Sequence, residues 1–240
     1  MDISIIKNII SQPRCAFCDD VLDIKTSDYV CEKCKADLPY VKGETCDICG
    51  RTLYTGYMDT VCHDCKTEKI YFIKNISAFE YKDNVKEAIR RMKFTALEIW
   101  IARELGKILA KKVKEQYGDI RFDMIVPVPI SQINYIKRKF NQATEIALPI
   151  RRAINVPVND NVLKKIRHTK QQSSLGHKER KANVKGAYKV FHPDDICDKI
   201  ILLIDDVYTT GSTINECAKT LKKAGAMSIY TATVSITGKE

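Results

Sequence analysis

The chain has 240 residues, 45% hydrophobic and 29% charged, with 10 glycines and 7 prolines, a composition that excludes a disordered or fibrous polypeptide and fits one medium α/β domain plus a small module. No apolar run approaches the roughly 18 to 20 residues that span a bilayer. The opening MDISIIKNII carries Asp2 and Lys7 and lacks a small-residue cleavage site, so it does not read as a signal peptide; a cytoplasmic protein without membrane insertion is expected.

The charge of +10 is unevenly spread: residues 1–80 hold 10 Lys+Arg against 13 Asp+Glu, and residues 81–240 hold 30 against 17, so the basic surface belongs to the second part. Eight of the ten cysteines form four C-x-x-C pairs: Cys15/Cys18, Cys31/Cys34, Cys46/Cys49 and Cys62/Cys65. Twelve residues separate Cys18 from Cys31 and again Cys49 from Cys62, an internal repeat. In a reducing compartment such clustering points to metal and not to disulfides. Four thiolates close the tetrahedron of Zn²⁺, so both sites are expected to be structural. The expected sets are sequential, Cys15, Cys18, Cys31, Cys34 and then Cys46, Cys49, Cys62, Cys65, with an interleaved arrangement left open; Gly50 suits a tight knuckle and His63 is read as a bystander. Eight thiolates and two zinc ions add about −4 to an already acidic module, which disfavours phosphate-backbone binding by residues 1–70 alone.

After Lys66, IYFIKNISAFEY reads as a strand or hairpin, and a boundary near residue 75 separates a double zinc ribbon (1–75) from a second domain (76–240). VKEAIRRM has the spacing of an amphipathic helix, and a longer one is expected from Ala96 to about Tyr117 with Gly118 ending it. MIVPVP (124–129) reads as a short buried strand, and residues 131–153 as one helix with Lys137, Arg138 and Lys139 near its start. VLKKI and GAYKVF are strand-like and enclose a long polar basic connection of the kind that is functional or disordered. KIILLID, a helix and YTATVSI complete an open parallel sheet flanked by helices, in which ligands bind beyond the carboxyl ends of the strands. Cys197, Cys217 and Trp100 are expected in the core; His168, His177 and His192 show no metal spacing.

LLIDDVYTTGST (202–213) carries the chemistry. An apolar strand delivers Asp205 and Asp206 to its carboxyl end, and a helix begins at the far side of a loop rich in hydroxyls. Thr213 and Glu216 fit a capping box at that helix's start, and Gly225 its end. Loop amides, the helix dipole and Thr209, Thr210, Ser212 and Thr213 suit a phosphate, with Gly211 allowing close approach. Two carboxylates beside a phosphate cradle make sense for a ligand with vicinal hydroxyls or a divalent metal, as in a ribose 5-phosphate bound with Mg²⁺. Neither G-x-x-x-x-G-K-[ST] nor G-x-G-x-x-G is present.

IDDVYTTGST resembles the 5-phosphoribosyl 1-diphosphate (PRPP) motif of type I phosphoribosyltransferases. With the CxxC ribbons, YKDNVKEAIRRMKF, VPVP, RKFNQATEIA and RHTKQQSSLGHKERKANVKGAY, the chain is similar to the ComF (ComFC) family of competence proteins. The resemblance implies a type I phosphoribosyltransferase-like domain in which Asp205 and Asp206 hold the ribose hydroxyls with Mg²⁺ nearby. Val207 and Tyr208 belong to the same motif, and Thr209, Thr210, Gly211, Ser212 and Thr213 take the 5-phosphate. It also implies that Val128, Pro129, Ile130 and Ser131 hold diphosphate, helped by Lys137, Arg138 and Lys139, and that a loop from Arg167 to Lys185, with Lys170, Arg180 and Lys181, closes over PRPP.

The family is associated with natural transformation, the handling of internalised single-stranded DNA, together with other competence proteins. Residues 161–190, with nine Lys and Arg against Glu179, are an electrostatic candidate for nucleic acid, although only Tyr188 and Phe191 offer aromatic rings there. The alternative is a phosphoribosyltransferase acting on a nucleobase or related small acceptor, for which only the zinc module and helices could form a hood. Asn141 and Gln142 match the family motif without a role derivable from the residues.

Overall fold

The computed structural model describes residues 12–53, 59–94, 98–169 and 177–238. Four strands with nearly unbroken apolar sequence form a fully parallel sheet in the order β1-β6-β5-β2: β1 (Asn75–Glu80), β2 (Met124–Pro127), β5 (Ile200–Tyr208) and β6 (Ser228–Ile236). The segment IYFIKNISAFEY thus supplies one edge strand and no hairpin. Two further short strands, β3 (Leu163–Lys165) and β4 (Tyr188–Val190), pair antiparallel with each other.

Alternation along the strands assigns the core to two faces. Ile76, Ala78, Ile125, Leu202, Ile204, Ala232 and Val234 face a cluster built with α3 (Asp83–Phe94), α4 (Ile99–Tyr117) and α6 (Gln142–Ile154). Met124, Val126, Ile201, Leu203 and Ile229 face a second cluster that includes α8 (Ser212–Lys223) and the β3–β4 pair. Because α6 follows β2 on one face and α8 follows β5 on the other, the connections diverge between β5 and β2. A crevice at the carboxyl ends of these strands is where open α/β sheets bind ligands.

Several expected elements differ in detail. The helix expected over 131–153 is two: α5 (Gln132–Arg138) stops at Lys139, which takes a left-handed conformation (φ 68°), Phe140 is buried, and Asn141 caps α6 by accepting from the Ala143 amide. Inside the long polar connection α7 (His177–Val184) is helical. The capping box at α8 does not form: Gly211 occupies the N-cap without a side-chain cap bond, and the Glu216 carboxylate accepts instead from the Gly186 amide at 2.9 Å. α4 is described from Ile99, so the Ala96 start lies outside the described residues, as does MDISIIKNII. Cys217 is buried as expected, whereas Cys197 is exposed.

The two ribbons clasp the sheet. Cys15 and Cys34, with α1 (Glu32–Asp37), join the α3–α4–α6 cluster, while Cys46, Cys49, Cys62 and Cys65, with α2 (His63–Thr67), join the α8 cluster. Among the described residues no helix is long and apolar enough to cross a membrane.

Candidate functional site

In each ribbon the four Sγ atoms lie within 4.8 Å of one another, in the sets Cys15, Cys18, Cys31, Cys34 and Cys46, Cys49, Cys62, Cys65. This excludes the interleaved arrangement, and the closed thiolate donor set fits structural Zn²⁺. Gly50 adopts φ +71° in its knuckle, and His63, with its side chain 73% exposed, stands outside both sets.

The acidic pair lies inside β5, whose ladder continues through Asp205 and Val207 to Tyr208 opposite Thr233, Ser235 and Ile236, so the strand runs past the carboxylates. Consecutive positions point to opposite faces. Asp205 turns toward the α8 cluster: with Val207, Tyr208, Thr209, Gly211, Thr213 and Ile214 it lines a small cavity of about 20 Å³. Burial, then the adjacent Asp206 charge, push its carboxyl well above the ordinary range. Asp206 turns to the other face, where Lys93 from the end of α3 meets it at 2.6 Å. Burial would raise this carboxyl too, but the Lys93 ammonium outweighs it and, with Arg138, holds it below the ordinary range. Arg138 is itself lowered by burial and opposed by Asp206, and its Nη1 donates to Gln142 Oε1 at 3.1 Å.

Sequence reasoning missed Lys93. It stands in the quoted stretch YKDNVKEAIRRMKF, but four basic residues share that helix, and only the fold shows which one reaches the site.

Past Tyr208 the loop turns sharply. Gly211 has φ +73°, and a Cβ there would lie 2.2 Å from the Tyr208 hydroxyl, so a side chain at this position would be strained and would have to displace Tyr208. The Thr210 and Ser212 hydroxyls share a hydrogen bond of 2.8 Å, and Ser212 opens α8, whose amino end favours an anion. On the opposing side Val128 and Pro129 are buried, Ile130 is partly so, and buried Ser131 caps α5. Asn141 fixes this turn by donating from Nδ2 to the Val128 carbonyl at 3.1 Å, a role its sequence position did not reveal.

The other candidate cations divide. Lys137 on α5 and Lys139 at its C-cap are exposed. Arg167 is occupied in fastening the end of α7, donating to the Asn183 and Lys185 carbonyls. Lys181 pairs with Glu68 at 3.3 Å, beside a cavity of about 160 Å³ also lined by Tyr71, Thr210 and Asn215. Arg180 lies on α7, and Lys170 falls outside the described residues. Lys165, unassigned in the sequence, has its ammonium lowered by burial and approaches the Asp205 side. Two carboxylates and a run of hydroxyls are hard oxygen donors of the kind that suit Mg²⁺, which takes few protein ligands and completes its octahedron with water and substrate phosphate.

A family model described as a double zinc ribbon domain matches residues 6–66. Competence protein F of Haemophilus influenzae is 29% identical over 90% of this chain and 93% of its own length, and competence protein ComFC of Bacillus subtilis is 27% identical over 84% and 81%. The full-length likeness is to competence proteins of the ComF kind. The DNA utilization protein YhgH of Escherichia coli is also similar to this chain, 25% identical over 83% of it and 93% of that protein. Among solved structures, purine phosphoribosyltransferase from Pyrococcus horikoshii Ot3 covers 57% of this chain and 75% of its own at 21% identity, with a TM-score of 0.36.

Proposed function

We propose that the chain is a PRPP-binding, phosphoribosyltransferase-like protein that acts in natural transformation, in the handling of internalised single-stranded DNA. The observation that carries this reading is the crevice itself: a glycine-turned hydroxyl loop at the amino end of α8, next to two buried carboxylates whose charges are managed from opposite faces of β5. On this reading residues 1–75 form the zinc module and residues 76–240 the ligand-binding domain.

The loop amides with Thr209, Thr210, Ser212 and Thr213 hold the 5-phosphate, and Asp205 and Asp206 meet the ribose hydroxyls. Bound Mg²⁺ would supply charge neutralisation at the diphosphate. The chain's own contribution is to place Lys93, Arg138 and Lys165 around the strand end and to orient the Val128–Ser131 turn through Asn141. If the C1–diphosphate bond breaks, positive charge develops on the ribose while the leaving group gains negative charge, and fixed cations on the leaving-group side favour that separation.

A DNA-handling role is supported by the relatives named competence and DNA utilization proteins and by the surface of α5. That helix buries none of its residues, and it exposes Ile133, Tyr135 and Ile136 beside Lys137 and Lys139. Tyr135 supplies an aromatic ring outside residues 161–190, on the helix that also carries the expected diphosphate cations.

The deciding experiment measures diphosphate release from PRPP and Mg²⁺, alone and with nucleobases or single-stranded DNA, beside calorimetric PRPP binding, with Asp205→Asn/Asp206→Asn as the blank. Acceptor-dependent release lost in the double variant makes the protein a transferase and identifies its acceptor class. Binding without release makes PRPP a ligand of a DNA-handling module. Absence of binding refutes the reading.

A further inference from the structure

Two ribbons with the same ligand set and spacing occupy different places in the fold. The first is tied to α3, through Asp19 to Arg91 and through the Asn84 amide to Cys34 Sγ. The second reaches the phosphate loop. Arg51, two residues after Cys49, is only 7% exposed. Its Nη1 donates to Asp64 Oδ2 at 2.9 Å, inside the Cys62–Cys65 knuckle, and its Nη2 donates to the Thr209 carbonyl at 3.0 Å, across 158 residues of sequence.

The knuckle is also seated on the sheet. The Asn75 amide donates to the Ile48 carbonyl at 2.7 Å, its side chain donates to the Cys49 carbonyl at 2.9 Å, and a Cβ at Gly50 would lie 2.6 Å from the Asn75 carbonyl. Tyr208 packs in the same cluster as the four cysteines, against Phe72 at 6.4 Å, with its hydroxyl directly beneath Gly211.

The chemistry of one peptide plane links these contacts to ligand binding. In a trans peptide the C=O and the following N–H point in opposite directions. Holding the Thr209 carbonyl toward Arg51, with Thr237 Oγ1 donating to the same oxygen at 3.2 Å, turns the Thr210 N–H away from the ribbon. Asp64 lies between two zinc ligands, so the position of the Arg51 guanidinium is set by the metal-bound knuckle.

We propose that Arg51 is a positioning residue for the phosphate loop, and that the second zinc site, unlike the first, sets the loop's conformation and so its affinity for a phosphorylated ligand. The ligand half of this inference rests on the function proposed above; the mechanical half does not.

The test compares Arg51→Gln, Arg51→Lys, Cys65→Ser and Cys31→Ser with the unmodified protein. It reads zinc content, thermal stability, hydrogen exchange across residues 207–215, and calorimetric PRPP affinity with Mg²⁺. The exchange readout is informative because the Ser212 and Asn215 amides are hydrogen-bonded within this turn. Arg51→Gln is expected to keep both zinc ions and a near-normal melting temperature while exchange speeds up and PRPP affinity falls roughly tenfold, the usual scale for a lost charged hydrogen bond. Lysine lacks the two-pronged fork and should not rescue. Cys65→Ser should reproduce the loosened loop and Cys31→Ser should not; if Cys65→Ser does not fold, Arg51→Gln decides alone. Unchanged exchange in a zinc-replete Arg51→Gln, or equal loosening by Cys31→Ser, overturns the proposal. Failure of the unmodified protein to bind PRPP would sink the proposed function, leaving the exchange data to decide the coupling.

Discussion

Asp205 and Asp206 adjoin in sequence, yet the fold gives them opposite electrostatic surroundings, and their substitution should have opposite consequences. The carboxyl of Asp205 is raised by burial and by its neighbour, so ionising it in the folded state costs stability. That cost is absent below the ordinary carboxylate value of about 3.9 and grows as pH rises. Asp205→Asn is therefore expected to melt above the unmodified protein at pH 7.5, with the difference shrinking toward pH 4 in thermal scans. Asp206 is held low by Lys93 despite its burial, and it contributes stability that is present at neutral pH and lost as pH falls through its folded value. Asp206→Asn strands Lys93 and Arg138 and should lower stability at pH 7.5 by about 1–3 kcal/mol. Equal melting temperatures for the two variants would contradict this assignment. The pair was legible in IDDVYTTGST because a hydroxyl-rich turn after an apolar strand has few other uses. The partition of its charges was not, since Lys93 and Arg138 lie 113 and 68 residues before Asp206 in the chain.

At the scale of elements, hydrophobic periodicity located the sheet and most helices, because strands buried on both faces leave unbroken apolar runs. It failed where a turn has no compositional mark. Lys139 takes a left-handed conformation that sequence assigns to glycine or asparagine, and α7 lacks an apolar stripe because few of its positions are buried. Helix packing turns on similarly local detail. Gly106 of α4 lies against α6 so closely that a Cβ would sit 2.5 Å from the Ile146 carbonyl. Gly106→Ala should therefore force the helices apart and cost about 1–3 kcal/mol by chemical denaturation; an unchanged midpoint would contradict the contact. The exposed face of α5 yields a binding test. Tyr135→Ala should weaken oligonucleotide affinity by about 1–3 kcal/mol if a base stacks there, without flattening the salt dependence that Lys137 and Lys139 would set.

For the molecule as a whole, cysteine spacing identified two zinc ribbons but held no information on where they dock. Their thiolates belong to both core clusters, so the metal supports the sheet from each side. Two zinc ions per chain are expected by elemental analysis, and a strong chelator should abolish the cooperative unfolding transition rather than merely shift it. A sharp transition persisting in metal-free protein would show that the sheet stands without the clasp. The clasp also bears on the order of events at the ribosome. The edge strand held between the ribbons, β1, finds its neighbour β6 about 156 residues later in the chain, as in the bond between Ser77 and Thr233. A nascent polypeptide must therefore carry β1 unpaired through most of its synthesis, with an open strand edge inviting pairing with other chains. Zinc capture by the first-made segment would shield that edge during the wait, so that metal starvation would be felt first as aggregation of newly made protein.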